Sequence, residues 1–182
     1  MIGSLAAAVL LSSSLAASTY VVDPAGSVVK FHLHHKMHEV DGRSSQIEGK
    51  AILGDDGKVM TMVRIPAASF DTSDANRDSH MRETLDTGKF PYVIFKGVAA
   101  VTMPVSFGKA FETSLQGELD FHGVRRPMTI PATISLAQDG ATVTARFPVN
   151  LEAHQIERPA LLFIKVDENV QLDVELKLKS AR

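Results

Sequence analysis

The histidines of the segment 28–35 are the residues whose type and spacing most resemble a metal-binding site. His32 and His34 stand two positions apart within 28–35, and side chains at i and i+2 of a strand project from the same face. Two imidazoles placed in this way can share a zinc or copper ion. Lys30 and Lys36 lie on that same face, however, and their positive charge opposes a dication. The pattern therefore favours a solvated basic face over a metal site, which stays the weaker alternative at His32 and His34.

A second polar cluster places a cation, an acid and an imidazole within four residues. Arg77, Asp78 and His80 together have the groups that acid–base catalysis needs. Asp78 is equally suited to capping a helix or pairing with Arg82 one turn later. We favour these structural roles, and we assign the remaining chemistry of Arg77 and His80 to binding the polar head of a ligand. His35 alternates with apolar neighbours and is predicted to point inward, either as a core histidine or as a further head-group contact.

The sequence contains none of the common catalytic motifs. There is no Gly-x-Ser-x-Gly elbow, no His-Glu-x-x-His pair, no phosphate-binding glycine loop and no dinucleotide fingerprint. The chain also has no cysteine, which excludes thiolate nucleophiles, disulfides and cysteine metal sites. We therefore predict a protein that is not an enzyme, with no catalytic residue and no cofactor.

Strict alternation of apolar and polar residues dominates the rest of the chain. It is clearest in the segments 128–136, 143–151 and 170–178, and this period of two is typical of strands with one buried and one wet face. A series of such strands predicts an all-β fold, in which eight antiparallel strands close into a barrel around one interior. Pro131 interrupts one of these runs and predicts a bulge or an edge position there.

One segment breaks the alternation and is predicted to be a short helix. Residues 74–86 combine helix formers with acidic residues near the start, and Gly88 follows the end. Met81 and Leu85 lie four positions apart, so they share one face of the helix. We expect that face to pack against the barrel.

The N-terminus and the composition indicate an exported protein of one domain. Residues 1–18 carry no charge, hold an apolar run over 5–11 and end in small residues, as in a secretory signal. We predict cleavage between Ala16 and Thr19, a β-barrel domain over 19–182, and a periplasmic or secreted location. The net charge of −2 disfavours nucleic acid and anionic membranes as partners, and no segment reaches membrane-spanning length.

Three blocks of residues identify a family resemblance. The blocks are Arg-Asp-x-His-Met at 77–81, Phe-Pro-x-x-x-Phe at 90–95, and Gly-x-Leu at 117–119 followed by Gly-Val-x-Arg-Pro at 123–127. In this order and spacing the chain resembles the YceI-like family of lipocalin-like periplasmic proteins that bind polyisoprenoids. The resemblance implies an eight-stranded barrel with a helix against it, and a quinone-type lipid in an elongated apolar cavity. Residues 152–164 depart from the family pattern, where an Arg-Asp-Phe-Gly-like stretch is expected.

These observations predict an exported carrier or sequestering protein for an amphiphilic isoprenoid lipid. The tail would partition into the barrel, gaining about 0.8 kcal/mol per buried methylene, and polar groups near the mouth would fix the head. The alternatives are a structural or partner-binding barrel with a filled core, and a metal-binding protein that uses the histidines of the first strand. A homodimer is compatible with the sequence. The predicted tail contacts are Phe31, Leu33, Met62, Phe95, Leu119, Phe121, Phe147 and Phe163, and the predicted head-group contacts are His35, Arg77 and His80.

Overall fold

Antiparallel strands and one α-helix make up most of the chain. The structure, a computed structural model, describes residues 18–36, 38–101, 107–161 and 164–181. The first six strands are β1 (Ser18–Val22), β2 (Val28–His35), β3 (His38–Ser44), β4 (Glu48–Leu53), β5 (Lys58–Pro66) and β6 (Tyr92–Ala100), and α1 (Ala75–Thr84) lies between β5 and β6. The others are β7 (Ala110–Phe121), β8 (Val124–Leu136), β9 (Gly140–Asn150), β10 (Ala160–Leu161), β11 (Ile164–Lys165) and β12 (Asn169–Ser180). Strands β10 and β11 form a separate small ribbon.

The main sheet closes into a barrel because its first and last strands pair with each other. Both β1 and β2 pair with β12, at Tyr20↔Ser180 and Phe31↔Leu172 respectively, so they act as one strand interrupted at Pro24–Gly26. Likewise β3 pairs with β2, and β4 pairs with β1. Counting each interrupted pair once, the circular order is β1/β2, β3/β4, β5, β6, β7, β8, β9, β12. The predicted closed antiparallel barrel of eight strands is confirmed.

Strands β8 and β9 separate toward one end of the barrel. Their pairing runs from Leu136↔Ala141 only as far as Ala132↔Ala145. Pro131 directly precedes Ala132 in β8, at a position where β8 has no partner on β9. Proline has no N–H to donate, so it leaves no ladder hydrogen bond to β9 unmade. This agrees with the edge position predicted at Pro131. A 3-10 turn, Glu152–His154, closes part of the gap: the ring Nδ1 of His154 lies 3.0 Å from the carbonyl oxygen of Val124.

Helix α1 is held by its caps and by one buried carboxylate. The side chain of Asp74 accepts hydrogen bonds from the backbone N–H groups of Asn76 and Arg77, both at 3.0 Å, which satisfies two free donors of the first turn. Asp78 is buried and accepts from the N–H of Thr72 at 2.9 Å and from its hydroxyl at 2.6 Å. The helix predicted over 74–86 is therefore confirmed, with Asp74 as its cap and Leu85 after its last turn.

The barrel interior contains two clusters of apolar side chains. The cluster away from α1 is closely packed and consists of Val22, Val29, Ile47, Ile65, Leu176 and Leu178. The other cluster lies toward α1, and both Met81 and Leu85 of the helix pack against it, as predicted. Its buried members include Phe31, Leu119, Phe147 and Val149. The barrel therefore has one half that is filled by the cluster away from α1 and a second half that packs against the helix.

Candidate functional site

A cavity of about 870 Å³ lies between α1 and the helix-side half of the barrel. This volume falls in the upper part of the range for small-molecule sites, roughly 300–1,000 Å³. Its walls come from β2, β3, β6, β7, β9 and β12 and from the segments before α1 and after β9. The residues on its apolar wall are Phe31, Leu33, Val40, Phe70, Met81, Leu85, Val93, Leu119, Phe121, Val149, Leu151, Ile156, Pro159, Val166, Val170 and Leu172.

Inward and outward side chains alternate along each strand, and the inward ones that line this wall are apolar. On β2, Phe31 and Leu33 face the interior together with His35, since every second side chain of a strand points to the same side. The ring of Phe31 meets that of Phe70 edge to face, with 5.8 Å between their centroids. A Cβ atom at Gly42 would collide with the Phe31 ring, so glycine at this position lets the ring lie against β3. The wall is thus shaped by aromatic packing on one side.

The mouth of the cavity is polar and is built mainly by α1. Arg77, His80 and Thr84 border the cavity from one side of the helix, because positions three and four apart share a face. The side chain of His80 is 81% exposed and marks the outer rim. Asp74 also borders the cavity, and its carboxylate lies 3.7 Å from Nη2 of Arg77. A ligand in the cavity therefore meets apolar groups inside and polar groups at this end.

The Nε–H group of Arg77 is the one buried side-chain donor or acceptor in the described part of the chain that has no hydrogen-bond partner. A buried donor without a partner costs about 1–3 kcal/mol, and such groups are rare in native proteins. Arg77 borders the cavity and its side chain is partly exposed, although the Nε–H itself is covered. Arg77 is therefore a cation at the cavity mouth, and a bound molecule reaches its Nε–H only if the side chain moves.

Two further polar residues meet the cavity inside its mouth. His35 is only 1% exposed and its imidazole forms part of the wall. Thr72 also borders the cavity and donates to Asp78. These hydrogen bonds from Thr72 lower the pKa of the Asp78 carboxyl. The ionised carboxylate thus fixes both α1 and the segment that precedes it.

Most of the predicted site residues lie together at this cavity. Those that border it are Phe31, Leu33, His35, Arg77, His80, Leu119 and Phe121. Phe147 is buried and Phe95 is partly buried in the apolar cluster on the helix side of the barrel, and neither borders the cavity. Phe163 lies outside the described residues.

Met62 is placed on the opposite side of the sheet from the cavity. It pairs with Lys50 on β4 and Lys96 on β6, and both lysines are exposed. Residues in register across a sheet share a face, so Met62 lies on the outside of the barrel. Alternation with the buried residue Ile65 already implied this, because an even number of positions separates residues on the same face and Met62 is three positions away. Including Met62 among the tail contacts was wrong.

Several cavity residues were not predicted from the sequence. Val149, Val170 and Leu172 belong to clear alternating runs and were available from the pattern. In contrast, Phe70 and the residues Ile156, Pro159 and Val166 come from irregular segments. Such segments have no period from which the inward side can be inferred.

The histidines of β2 that face outward make local ion pairs. His32 lies between Asp41 at 2.6 Å and Asp173 at 3.0 Å, so both of its ring nitrogens are engaged. His34 lies 2.5 Å from Glu39, and this hydrogen bond raises the pKa of His34. Within the described ranges, no group of three or more His, Cys, Asp or Glu residues is arranged to hold a metal ion. The outer face of β2 therefore carries both acidic and basic side chains, and it is less basic than Lys30 and Lys36 alone indicated.

Comparison with known proteins gives both sequence relatives and structural neighbours. A UPF0312 protein of Shewanella denitrificans is 34% identical over 145 residues, which cover 74% of this chain and 72% of the relative. A UPF0312 protein of Pseudomonas fluorescens is 30% identical over 135 residues, covering 69% and 67%.

Two solved structures share the fold at low sequence identity. A polyisoprenoid binding domain from Saccharophagus degradans has a TM-score of 0.73 at 17% identity, covering 89% of this chain and 98% of that chain. BcnA of Burkholderia cenocepacia has a TM-score of 0.71 at 18% identity, covering 86% and 98%.

Two further findings concern the helices of the chain and its family. None of the helices in the described part of the chain has both the length and the apolar character needed to cross a membrane. A family model of the YceI-like domain matches residues 20–178, nearly the whole described chain. The chain therefore belongs to the YceI-like family.

Proposed function

We propose that this protein is an exported binding protein that carries or sequesters an amphiphilic lipid of the polyisoprenoid class. The observation that carries the proposal is the cavity beneath α1, whose apolar wall ends at the guanidinium of Arg77. An apolar chamber with a hydrogen-bond donor group at its mouth suits a molecule with a long apolar tail and a small polar head. The similar fold of a polyisoprenoid binding domain supports the same class of ligand.

The tail supplies most of the binding energy by leaving water. Each buried methylene contributes about 0.8 kcal/mol, so the ten carbons of two isoprene units contribute roughly 8 kcal/mol before the costs of association. Those costs are about 4–15 kcal/mol. Several isoprene units are therefore needed for tight binding. The branched tail would lie against Phe31, Leu119 and Leu172, which all border the cavity.

The head group that best fits the mouth is an uncharged hydrogen-bond acceptor. The carboxylate of Asp74 already lies 3.7 Å from Nη2 of Arg77, so a negative charge stands beside this cation. A phosphate head at Arg77 would be close to the Asp74 carboxylate and would be repelled by it. A quinone carbonyl can accept a hydrogen bond from the guanidinium without adding charge. We infer a quinone-like head for this reason.

The protein works by binding and release, and no chemical step is proposed. The hydroxyl of Thr72, which borders the cavity and donates to the Asp78 carboxylate, is assigned a structural role in holding α1. Export rests on residues 1–18, which have the pattern of a secretory signal and of which 1–17 lie outside the described residues. A periplasmic or secreted location places the carrier in water, where an isoprenoid needs a protein shell. We propose no cofactor beyond the lipid ligand.

A binding titration with a matched pair of variants tests this proposal. The full chain is titrated with a short isoprenoid quinone, and bound quinone is measured by native mass spectrometry. Leu172→Trp fills the cavity from its wall, whereas Thr144→Trp adds the same side chain on the exposed outer face of β9. We expect one quinone per chain, an affinity at least tenfold lower in Leu172→Trp, and less than twofold change in Thr144→Trp. Failure of the unmodified chain to bind any isoprenoid would favour the barrel with a filled core.

A further inference from the structure

The outer surface of strands β4, β5 and β6 carries a row of apolar side chains. Ile52, Met60 and Val98 form one row across these strands, because Ile52 pairs with Met60 and Met60 pairs with Val98. Met60 is 56% exposed and Val98 is 47% exposed. On the neighbouring strand β7 the outward positions are polar: Glu112, Ser114, Gln116, Glu118 and Asp120. The β4–β6 face is defined as Lys50, Ile52, Met60, Met62, Lys96 and Val98.

Two lysines without ion pairs flank the apolar centre of the β4–β6 face. Lys50 and Lys96 stand on either side of Met62 in one cross-strand row, with backbones about 10 Å apart at the usual strand spacing. Neither lysine has an ion pair among the residues that the structure describes, although other surface charges here are paired. Glu48, for example, lies 2.6 Å from Arg64. The face thus combines exposed apolar groups with two lysines, of which Lys96 pairs in register with Glu118 of β7.

The mouth-side end of the same surface carries an aromatic residue and a cation. The guanidinium of Arg64 lies over the Tyr92 ring, 5.0 Å from its centroid, and Tyr92 is 39% exposed. Tyrosine with adjacent basic residues is typical of the level of lipid head groups at a membrane surface. Because β5 ends beside the start of β6 and α1 lies between them, this surface continues to the mouth of the cavity.

We propose that the β4–β6 face docks the protein on the surface of an anionic lipid bilayer. Ile52, Met60 and Val98 would contact the outermost acyl groups, while Lys50 and Lys96 reach the lipid phosphates with their long stems lying along apolar surface. The net charge of −2 does not oppose this docking, because charges more than a Debye length away, about 8–10 Å, are screened. The composition-based expectation against anionic membranes considered only this net charge.

The same charges disfavour a second copy of the chain as the partner. In a two-fold dimer the same patch meets itself, so the lysine rows of both copies would come close together. Like charges facing each other at an interface are repelled. An anionic partner with an apolar interior suits the face better. The proposal concerns the outside of the barrel and does not depend on what the cavity binds.

Vesicle co-sedimentation tests the proposal directly. The full chain is mixed with vesicles of phosphatidylcholine and phosphatidylglycerol, and in parallel with vesicles of phosphatidylcholine alone. Lys50→Gln with Lys96→Gln removes the proposed contacts, and Lys30→Gln with Lys165→Gln removes the same charge from exposed sites on other elements. Because all variants share one N-terminus, residues 1–17 contribute equally to each measurement.

We expect binding to the anionic vesicles that weakens with added salt. The Lys50/Lys96 variant should lose about 25-fold in partition, since each basic residue near such a surface contributes about a factor of five. The Lys30/Lys165 variant should stay within about twofold. Met60→Gln with Val98→Thr should also reduce partition, without changing the melting temperature. Absence of vesicle binding, equal loss in both lysine variants, or a dimer that the Met60/Val98 variant dissociates would each overturn the proposal.

Discussion

Replacing Arg77 by methionine should stabilise the lipid-free protein and lower its affinity for the ligand. The substitution removes the buried Nε–H that has no hydrogen-bond partner and keeps an unbranched apolar stem at the cavity mouth. Relief of the unsatisfied donor is worth about 1–3 kcal/mol. The ion pair with Asp74, at 3.7 Å and partly exposed, is worth at most about 1 kcal/mol. We therefore expect a net gain of roughly 1 kcal/mol in the free energy of unfolding.

The same substitution should lower the affinity for an isoprenoid quinone by about 10- to 100-fold. A hydrogen bond from a charged donor contributes about 1.5–3 kcal/mol, and each 1.4 kcal/mol is a factor of ten in affinity. Urea unfolding of the lipid-free protein measures the first effect, and quinone titration measures the second.

Arg82→Met is the matched control, because it removes a cation from the same helix at a position that does not border the cavity. It should leave quinone affinity within about twofold. Loss of stability in Arg77→Met together with unchanged quinone affinity would refute the reasoning and make Arg77 a structural residue.

The remaining predictions concern Asp78, His154 and Gly123. Asp78→Ala should cost about 2–4 kcal/mol in urea unfolding, because it leaves the N–H and hydroxyl of Thr72 without their acceptor. The Asp78 pKa is lowered on folding, so its contribution is present above about pH 4 and is lost as pH falls; Asp78→Asn should remove that pH dependence. Burial lowers the pKa of His154, so stability should decline as pH drops below about 6.5, and unfolding measured across pH should lose this slope in His154→Gln. Gly123→Ala should lower stability by about 1–3 kcal/mol, since φ is +72° and the new Cβ would collide with the Phe90 ring.

The barrel follows from the sequence because half-buried strands must alternate. Each run of apolar residues at every second position identifies a strand and its inward side, which gave the inward positions of Phe31 and Leu119 and the outward position of His34. The helix was equally clear, since Asp74 is a strong N-cap residue and the alternation stops there. The interruption of the first strand at Pro24–Gly26 was not predicted, because only pairing with β12 shows that β1 and β2 continue one another.

The site was less predictable than the barrel for two physical reasons. Some of its residues lie in irregular segments, such as Phe70 and Ile156, whose direction is set by tertiary packing and not by a period. Others were selected by side-chain type and not by position on the strand, which is why Met62 was assigned to the interior although it lies outside. The special status of Arg77 depends on the absence of a partner for one buried atom, and that can be seen only in the folded chain.

The central claim, that the cavity beneath α1 holds an isoprenoid lipid, is tested most directly by native mass spectrometry. The full chain is purified without detergent, measured intact, and then extracted with organic solvent. We expect one co-purifying species that adds a single lipid mass to the chain and fragments as an isoprenoid. The bare mass of the chain, both as purified and after incubation with isoprenoid quinones, would contradict it.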